Sequence, residues 1–255
     1  MIIILSPSKT IKQSDIKEVS DYSLPIFQSK SEKLVNKIKK LKPKEIASLM
    51  NVSSKLAEQT YDKFQFWNSY HSLDNSKQAI LSFRGEVYTG LDANTLSDSE
   101  LLFAQRHLII LSGIYGVLKP LDLIQPYRLE MATKLSILKH NNLYSYWSSS
   151  ITTELKNKLV ESNNNVLINL ASEEYSKVIN LKIINTRVVT PIFKENKNGI
   201  YKVVSVYAKK ARGLMTRYII ENSTDIPENI KLFNEEGYYF NNELSSENEY
   251  IFTRG

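Results

Sequence analysis

The hydrophobic and polar positions of this chain follow two patterns: short continuous apolar runs, and apolar residues at helical spacing. Continuous apolar runs at residues 2–5 and 108–111 predict buried β-strands, and the mostly apolar segments 78–83 and 166–170 predict two more strands. Helical spacing, together with capping signals, predicts helices over about 26–41, 43–50, 56–67, 97–106, 147–159 and 208–221. Strands and helices therefore alternate along most of the chain.

The last third of the chain predicts further strands. Asn198-Gly199 favours a tight hairpin turn between residues 187–194 and 200–207, and short strand-like runs lie near 237–240 and 249–253. No repeat, linker or block of like charge divides the sequence. We therefore predict one α/β domain over residues 1–255, of mixed α+β character, with helices packed around a mixed β-sheet.

Composition excludes several kinds of site. The chain has no cysteine, so disulfides, thiolate metal sites, iron–sulfur clusters and a cysteine nucleophile are excluded. The three histidines (His71, His107 and His140) are scattered, which argues against a metal cluster and a serine–histidine pair. We expect no metal and no cofactor. The first residues lack a signal-peptide pattern and no apolar run is long enough to span a membrane, so we expect a cytoplasmic protein with no membrane partner. We also expect a monomer.

Net charge suggests anionic partners. The chain carries a formal charge of +6, which is compatible with nucleic acid or anionic metabolites but also fits a simple excess of lysine. The seven arginines are more informative because a planar guanidinium suits bidentate recognition of anions. Four of them, Arg84, Arg128, Arg212 and Arg217, lie in segments that also hold glycine and tyrosine.

Two of these segments directly follow predicted strands, where ligands gather in open α/β sheets. Lys9, in the turn at residues 6–10, is placed to meet a phosphate or carboxylate, or is part of an ordinary surface turn. In residues 83–91, Arg84 supplies a fork of donors, Glu86 an acid and Tyr88 a stacking ring, with a structural loop as the alternative.

A third segment, residues 111–131, begins with two glycines near two hydroxyl groups. Gly113 and Gly116 fit the turn of a helix-hairpin-helix, which presents backbone N–H groups to DNA phosphates, and equally fit a strand that ends in a glycine loop. Ser112 and Tyr115 are candidate catalytic residues beside them. Further along, Arg128 and Glu130 either pair with each other or flank a site.

The predicted helix at 208–221 has an apolar face and a basic face. Lys209, Lys210, Arg212 and Arg217 fall on the basic half, which favours an anion-binding face over a merely solvated one. Gly213 is unfavourable inside a helix, so we expect another backbone or a ligand to approach it closely. In contrast, Ser172 and the two glutamates after it read most simply as the start of a short helix.

Five blocks of this sequence together resemble the YaaA family of bacterial peroxide-stress proteins. The blocks are residues 4–10, 85–91, 111–131, 168–175 and 207–215, and they span almost the whole chain. The resemblance implies a role in limiting oxidative damage to DNA and protein, linked to lower free intracellular iron. It also implies a positively charged cleft and a helix-hairpin-helix-like element that binds DNA, which by position is residues 112–119.

Three hypotheses follow. The leading one is a stress protein that binds duplex or distorted DNA without sequence specificity, placing phosphates on Lys9, Arg84, Arg128, Lys209, Lys210, Arg212 and Arg217, with Tyr88 and Tyr115 stacking on unpaired bases. The alternative is an enzyme acting on a nucleobase, nucleotide or damaged DNA, with Lys9, Glu86, Ser112, Tyr115 and Glu130 as candidate catalytic groups. Direct iron sequestration is the third, and the lack of cysteine and clustered ligands argues against it.

Overall fold

The computed structural model describes residues 1–14, 16–162 and 164–255, in which strands and helices alternate. The strands are β1 Ile2–Leu5, β2 Thr10–Ile11, β3 Lys77–Gln78, β4 Phe83–Arg84, β5 Leu108–Ser112, β6 Gly116–Leu118, β7 Leu123–Ile124, β8 Val166–Leu170, β9 Arg187–Lys197, β10 Ile200–Lys202, β11 Tyr239–Phe240 and β12 Glu249–Arg254. The α-helices are α1 Gln28–Ile38, α2 Pro43–Met50, α3 Ser54–Phe66, α4 Ala79–Ser82, α5 Glu86–Leu91, α6 Asp98–His107, α7 Leu143–Glu161, α8 Glu173–Ser176, α9 Leu181–Ile184 and α10 Ser205–Glu221. Short 3-10 helices lie at Ala93–Thr95, Pro227–Leu232 and Glu235–Gly237.

The main sheet has eight strands, in the order β11-β12-β9-β8-β1-β5-β6, with β10 paired to β9. Its centre is parallel, and β6, β10 and β11 add antiparallel pairs around it. Ile3 on β1 lies between Leu108 on β5 and Ile168 on β8. Both β1 and β5 are buried along their whole length, which explains their continuous apolar runs. The predicted mixed sheet with surrounding helices in one α/β domain is confirmed.

The strand predicted at residues 78–83 is wrong. The segment instead divides into the end of β3, the single turn of α4 and the start of β4. All of α4 is buried, and a buried helical turn shows the same unbroken apolar run as a buried strand. The two flanking strand pieces pair outside the main sheet, β3 with β7 and β4 with β2.

The predicted helix-hairpin-helix at residues 112–119 is also wrong, because this segment is a buried β-hairpin. Ser112 on β5 lies opposite Gly116 on β6, and residues 113–115 form the turn. A Cβ at Gly113 would overlap the backbone of Leu129, and one at Gly116 would lie 2.6 Å from the Trp147 ring. The glycines therefore permit close packing inside the fold and do not present their N–H groups to DNA.

The helix predicted at 208–221 is confirmed as α10, and so is a close backbone approach at Gly213. A Cβ on Gly213 would overlap the carbonyl oxygen of Val87 on α5 and lie 2.8 Å from the amide nitrogen of Leu91. Gly90 on α5 makes the reciprocal approach, because its Cβ would lie 2.9 Å from the amide nitrogen of Leu214. Two glycines thus let α5 and α10 pack backbone to backbone, which brings two of the sequence segments together.

Candidate functional site

A cavity of about 570 Å³ opens at the carboxyl ends of β1 and β8. These two parallel strands are neighbours in the sheet. The strand on the other side of β1 is β5, and the strand on the other side of β8 is β9, so the chain continues from them in opposite directions across the sheet. Such a switch point is where open α/β sheets bind ligands. The lining residues are Ser6, Pro7, Ser8, Lys9, Arg84, Gly85, Glu86, Val87, Tyr88, Leu170, Ser172, Glu173, Glu174, Tyr175, Lys209 and Arg212.

Short hydrogen bonds hold the segments around this pocket together. Ser6, directly after β1, accepts a hydrogen bond on Oγ from the backbone N–H of Ser172 at 2.8 Å. Its hydroxyl lies 3.2 Å from the Ser172 hydroxyl, to which it donates. The Tyr88 hydroxyl on α5 donates to the Ser6 carbonyl at 3.0 Å. The ends of β1 and β8 and helix α5 are therefore fixed relative to one another.

Arg212 is the most distinctive cation of the pocket. Its side chain is half-buried, and within residues 1–14, 16–162 and 164–255 its guanidinium makes neither a hydrogen bond nor an ion pair. Burial lowers the pKa of this guanidinium from its usual range. Lys209 lies three residues earlier on the same helix and is exposed. This arginine is placed to receive an anion.

Lys9 and Arg128 are bridged by one carboxylate. Glu130 Oε2 lies 2.7 Å from Lys9 Nζ, and Glu130 Oε1 lies 3.2 Å from Arg128 Nη2. Both oxygens of Glu130 are therefore engaged, which confirms that Arg128 and Glu130 pair with each other. Lys9 remains 61% exposed at the pocket, whereas the Arg128 side chain is mostly buried.

The charge of the pocket is mixed. Its lining contains four basic side chains and also three acidic ones, Glu86, Glu173 and Glu174. Glu174 accepts a hydrogen bond from the backbone N–H of Ala132 at 3.1 Å. The carboxylates of Glu86 and Glu173 are exposed and contact no hydrogen-bond donor in the described part of the chain. The pocket thus offers acceptors as well as cations.

The sequence is similar to a family of known bacterial proteins. A family model described as peroxide stress protein YaaA matches residues 1–244. The chain belongs to this family. It is 46% identical over 254 residues to a UPF0246 protein of Neisseria gonorrhoeae, covering 100% of this chain and 98% of the relative. It is equally similar, at 46% over 254 residues with the same coverage, to a UPF0246 protein of Neisseria meningitidis serogroup B. Membership supports a role in the peroxide stress response.

Two tyrosines predicted to stack on bases are buried in this YaaA-family protein. Tyr115 is fully buried, so its ring presents no face to DNA, whereas Tyr88 is 6% exposed and reaches only the wall of the pocket. Ser112 is also buried, and its hydroxyl lies 2.7 Å from that of Tyr127. Ser112 and Tyr115 belong to the interior, which contradicts a catalytic role for them at the pocket.

Besides Lys9 and Arg128, three more of the predicted anion-binding cations have structural partners. Arg217 donates to the carbonyls of Leu91 and Asp92 and to Thr95 Oγ1, and it pairs with Glu221 at 2.8 Å. Lys210 forms an ion pair with Glu236 and lies outside the pocket. Arg84 lines the pocket, yet its Nη1 donates to the carbonyls of Leu81 and Phe83 at 2.7 and 2.9 Å. On the basic face of α10, Lys209 and Arg212 therefore lie at the pocket, whereas Lys210 and Arg217 stabilise the fold.

The sequence did not point to Glu173 as a pocket residue, because a glutamate that begins a short helix is explained by the helix itself. The available signal was its position directly after a buried strand, the same signal that selected Lys9.

In the parts of the chain that the structure describes, no group of three or more histidine, aspartate or glutamate side chains could hold a metal ion. Over the same residues, no helix is both long and apolar enough to cross a membrane.

Tyr115 is the centre of a buried polar network. Its hydroxyl oxygen accepts hydrogen bonds from Trp67 Nε1 at 3.0 Å and from the Gln125 backbone N–H at 3.2 Å. The single hydroxyl proton is left for His71 Nε2, 3.1 Å away. The other ring nitrogen of His71, Nδ1, lies 3.2 Å from the Ser69 carbonyl and 3.3 Å from Gln28 Nε2.

Acidification should destabilise the fold through His71. Burial lowers the pKa of His71 in the folded protein, so the unfolded chain binds a proton that the folded protein does not. The contribution of His71 to stability is complete above the unfolded pKa of about 6.5 and is lost as the pH falls below it, by at most about 1.4 kcal/mol per pH unit. Chemical unfolding at about pH 7.5 and about pH 5.5 should show a larger loss for the wild type than for His71→Gln. Equal losses would contradict this.

Proposed function

We propose that this YaaA-family protein acts in the peroxide stress response by binding DNA without sequence specificity, and that the pocket takes one nucleotide of an unpaired or distorted strand. The observation that carries the proposal is the convergence of Lys9, Arg84, Lys209 and Arg212, from three separate segments, on one cavity at the sheet's switch point. A cavity of about 570 Å³ has the size of a small-molecule site. A single nucleotide fits such a volume, whereas a duplex does not.

The exposed cations supply the non-specific part of this binding. Lys9 and Lys209 are exposed at the pocket, and the chain carries a net charge of +6. Phosphate contacts of this kind release counterions and make affinity fall steeply with salt. Protection of DNA from oxidative damage is the proposed outcome, and the lower free iron implied by the family resemblance is a cellular consequence within the same proposal.

The test is a salt series of binding to duplex and bubble DNA, with Lys209→Ala beside Lys210→Ala. These adjacent lysines differ in that only Lys209 lines the pocket, while Lys210 pairs with Glu236. Bubble DNA should bind more tightly than duplex, because it offers an unpaired nucleotide. Lys209→Ala should reduce the slope of log affinity against log salt by about 0.7 for the unpaired strand of bubble DNA, the loss of one phosphate contact. Lys210→Ala should leave the slope unchanged.

Two results would contradict the proposal. One is a DNA affinity that does not change with salt, which would show that the protein does not bind DNA through phosphate contacts. The other is an equal effect of the two lysine variants, since that would show that the pocket side of α10 has no special role.

A second candidate is an enzyme that acts on a nucleobase, nucleotide or damaged DNA in the same pocket. It is favoured by the carboxylates of Glu86 and Glu173, which line the pocket, are exposed and are available for proton transfer. Glu130, the acid that the sequence favoured, has both oxygens engaged by Lys9 and Arg128. Release of a product from a bound nucleotide would distinguish this function from binding alone.

A further inference from the structure

The pocket keeps opposite charges apart. Arg212 lies on α10, whereas Glu86 begins α5 and Glu173 begins α8. All three line the same cavity, yet in the described residues neither carboxylate lies within ion-pair distance of the arginine. By contrast, Lys9 and Glu130 at the edge of the cavity do pair. The separation leaves one guanidinium and two carboxylates, all without a protein partner among the described residues, in the lining of a single cavity.

The anion-binding position is the Arg212 guanidinium. This half-buried group has no partner among the described residues, so its donors are available to an oxyanion of a ligand in the pocket. Arginine presents a planar fork that matches two oxygens of a phosphate or carboxylate. Arg212 therefore favours the phosphate end of a nucleotide.

The surface between the charged positions is suited to a ring. Val87, Tyr88, Leu170 and Tyr175 contribute aliphatic and aromatic groups to the lining. The Tyr88 hydroxyl is already committed to the Ser6 carbonyl, so its contribution to the pocket is apolar. A planar base fits such a surface, as ligand pockets in general combine apolar walls with a few polar groups that fix orientation.

We propose that the pocket selects a nucleotide whose base carries an exocyclic amine, with its phosphate on Arg212 and its amine on the carboxylates of Glu86 and Glu173. The inference rests on the proposed function and adds a base preference to it. Ionised carboxylates accept hydrogen bonds and donate none. An amine therefore satisfies them, whereas a carbonyl at the same place on the base faces them with a second acceptor. Cytosine and adenine should bind, and uracil and hypoxanthine should be rejected.

The experiment uses nucleotide pairs that differ in this group and in the proton on the ring nitrogen beside it. Titration calorimetry of the full chain with CMP against UMP, and with AMP against IMP, should show at least about tenfold tighter binding of the amine-bearing member, the size of one hydrogen bond to a charged group. In the double variant Glu86→Gln/Glu173→Gln the gap should close, because glutamine both donates and accepts. Thermal melting of the variant confirms that it is folded.

A second arm distinguishes a free nucleotide from one carried by DNA. Bubbles with unpaired cytosine and with unpaired uracil should differ in affinity by the same factor if the nucleotide enters the pocket from a strand. Equal affinity for CMP and UMP, together with equal affinity for the two bubbles, overturns the inference even if salt-dependent DNA binding is intact. A gap between free nucleotides without any DNA binding supports the inference and overturns the proposed DNA function.

Discussion

Replacing Gly213 by alanine is expected to lower the free energy of unfolding by about 3 kcal/mol. The new methyl group would overlap the Val87 carbonyl oxygen and press on the Leu91 amide, and both are backbone atoms that cannot rotate away. In an exposed helix the same change stabilises by about 1 kcal/mol, so the sign of the effect is diagnostic. Urea unfolding of the two proteins measures it.

The control for Gly213→Ala is Lys209→Ala on the same helix. Lys209 is exposed, so its truncation should change stability by less than about 0.5 kcal/mol. Gly90→Ala, on the opposite side of the contact, should reproduce the loss seen at Gly213 because its Cβ meets the backbone of α10. A neutral or stabilising Gly213→Ala would show that α5 and α10 do not pack backbone to backbone.

Replacing Arg212 is expected to affect DNA binding, whereas replacing Arg217 is expected to affect stability, although both residues lie on the basic face that the sequence predicted. Arg212→Ala should weaken binding of bubble DNA by about ten- to a hundredfold, the cost of a charged hydrogen-bonding partner, and leave thermal stability unchanged. Arg217→Ala should lower the free energy of unfolding by about 2 kcal/mol, because the Leu91 and Asp92 carbonyls lose their donor. Its DNA affinity should remain that of the wild type.

The fold was predictable where one pattern had one explanation. The unbroken apolar runs of β1 and of residues 108–111 in β5 belong to strands buried along their whole length, and the stripe of α10 belongs to a half-buried helix. The run at 78–83 failed because a buried helical turn and a buried strand both demand apolar residues at every position. The helix-hairpin-helix failed at Gly113 and Gly116 because a glycine that admits a ligand and one that admits a neighbouring side chain look alike in sequence.

The site was predictable only in its positions along the chain. Lys9 follows β1, and the structure places it at the pocket together with the segment around Arg84, although the strand predicted before Arg84 is a helical turn. Sequence alone does not show which members of a basic helix face are already paired, because Glu236 and the carbonyls that bind Arg217 come from distant elements. For the same reason the burial of Tyr88 and Tyr115 depends on tertiary packing.

In the proposed function, Arg212 anchors a nucleotide in the pocket between β1 and β8. The most direct test is the affinity of wild type and Arg212→Ala for bubble DNA at one fixed low salt concentration, with thermal melting of both samples. We predict that Arg212→Ala binds bubble DNA at least about tenfold more weakly than the wild type and melts at the same temperature. Unchanged affinity in a folded Arg212→Ala protein would contradict it and move the functional site away from this pocket.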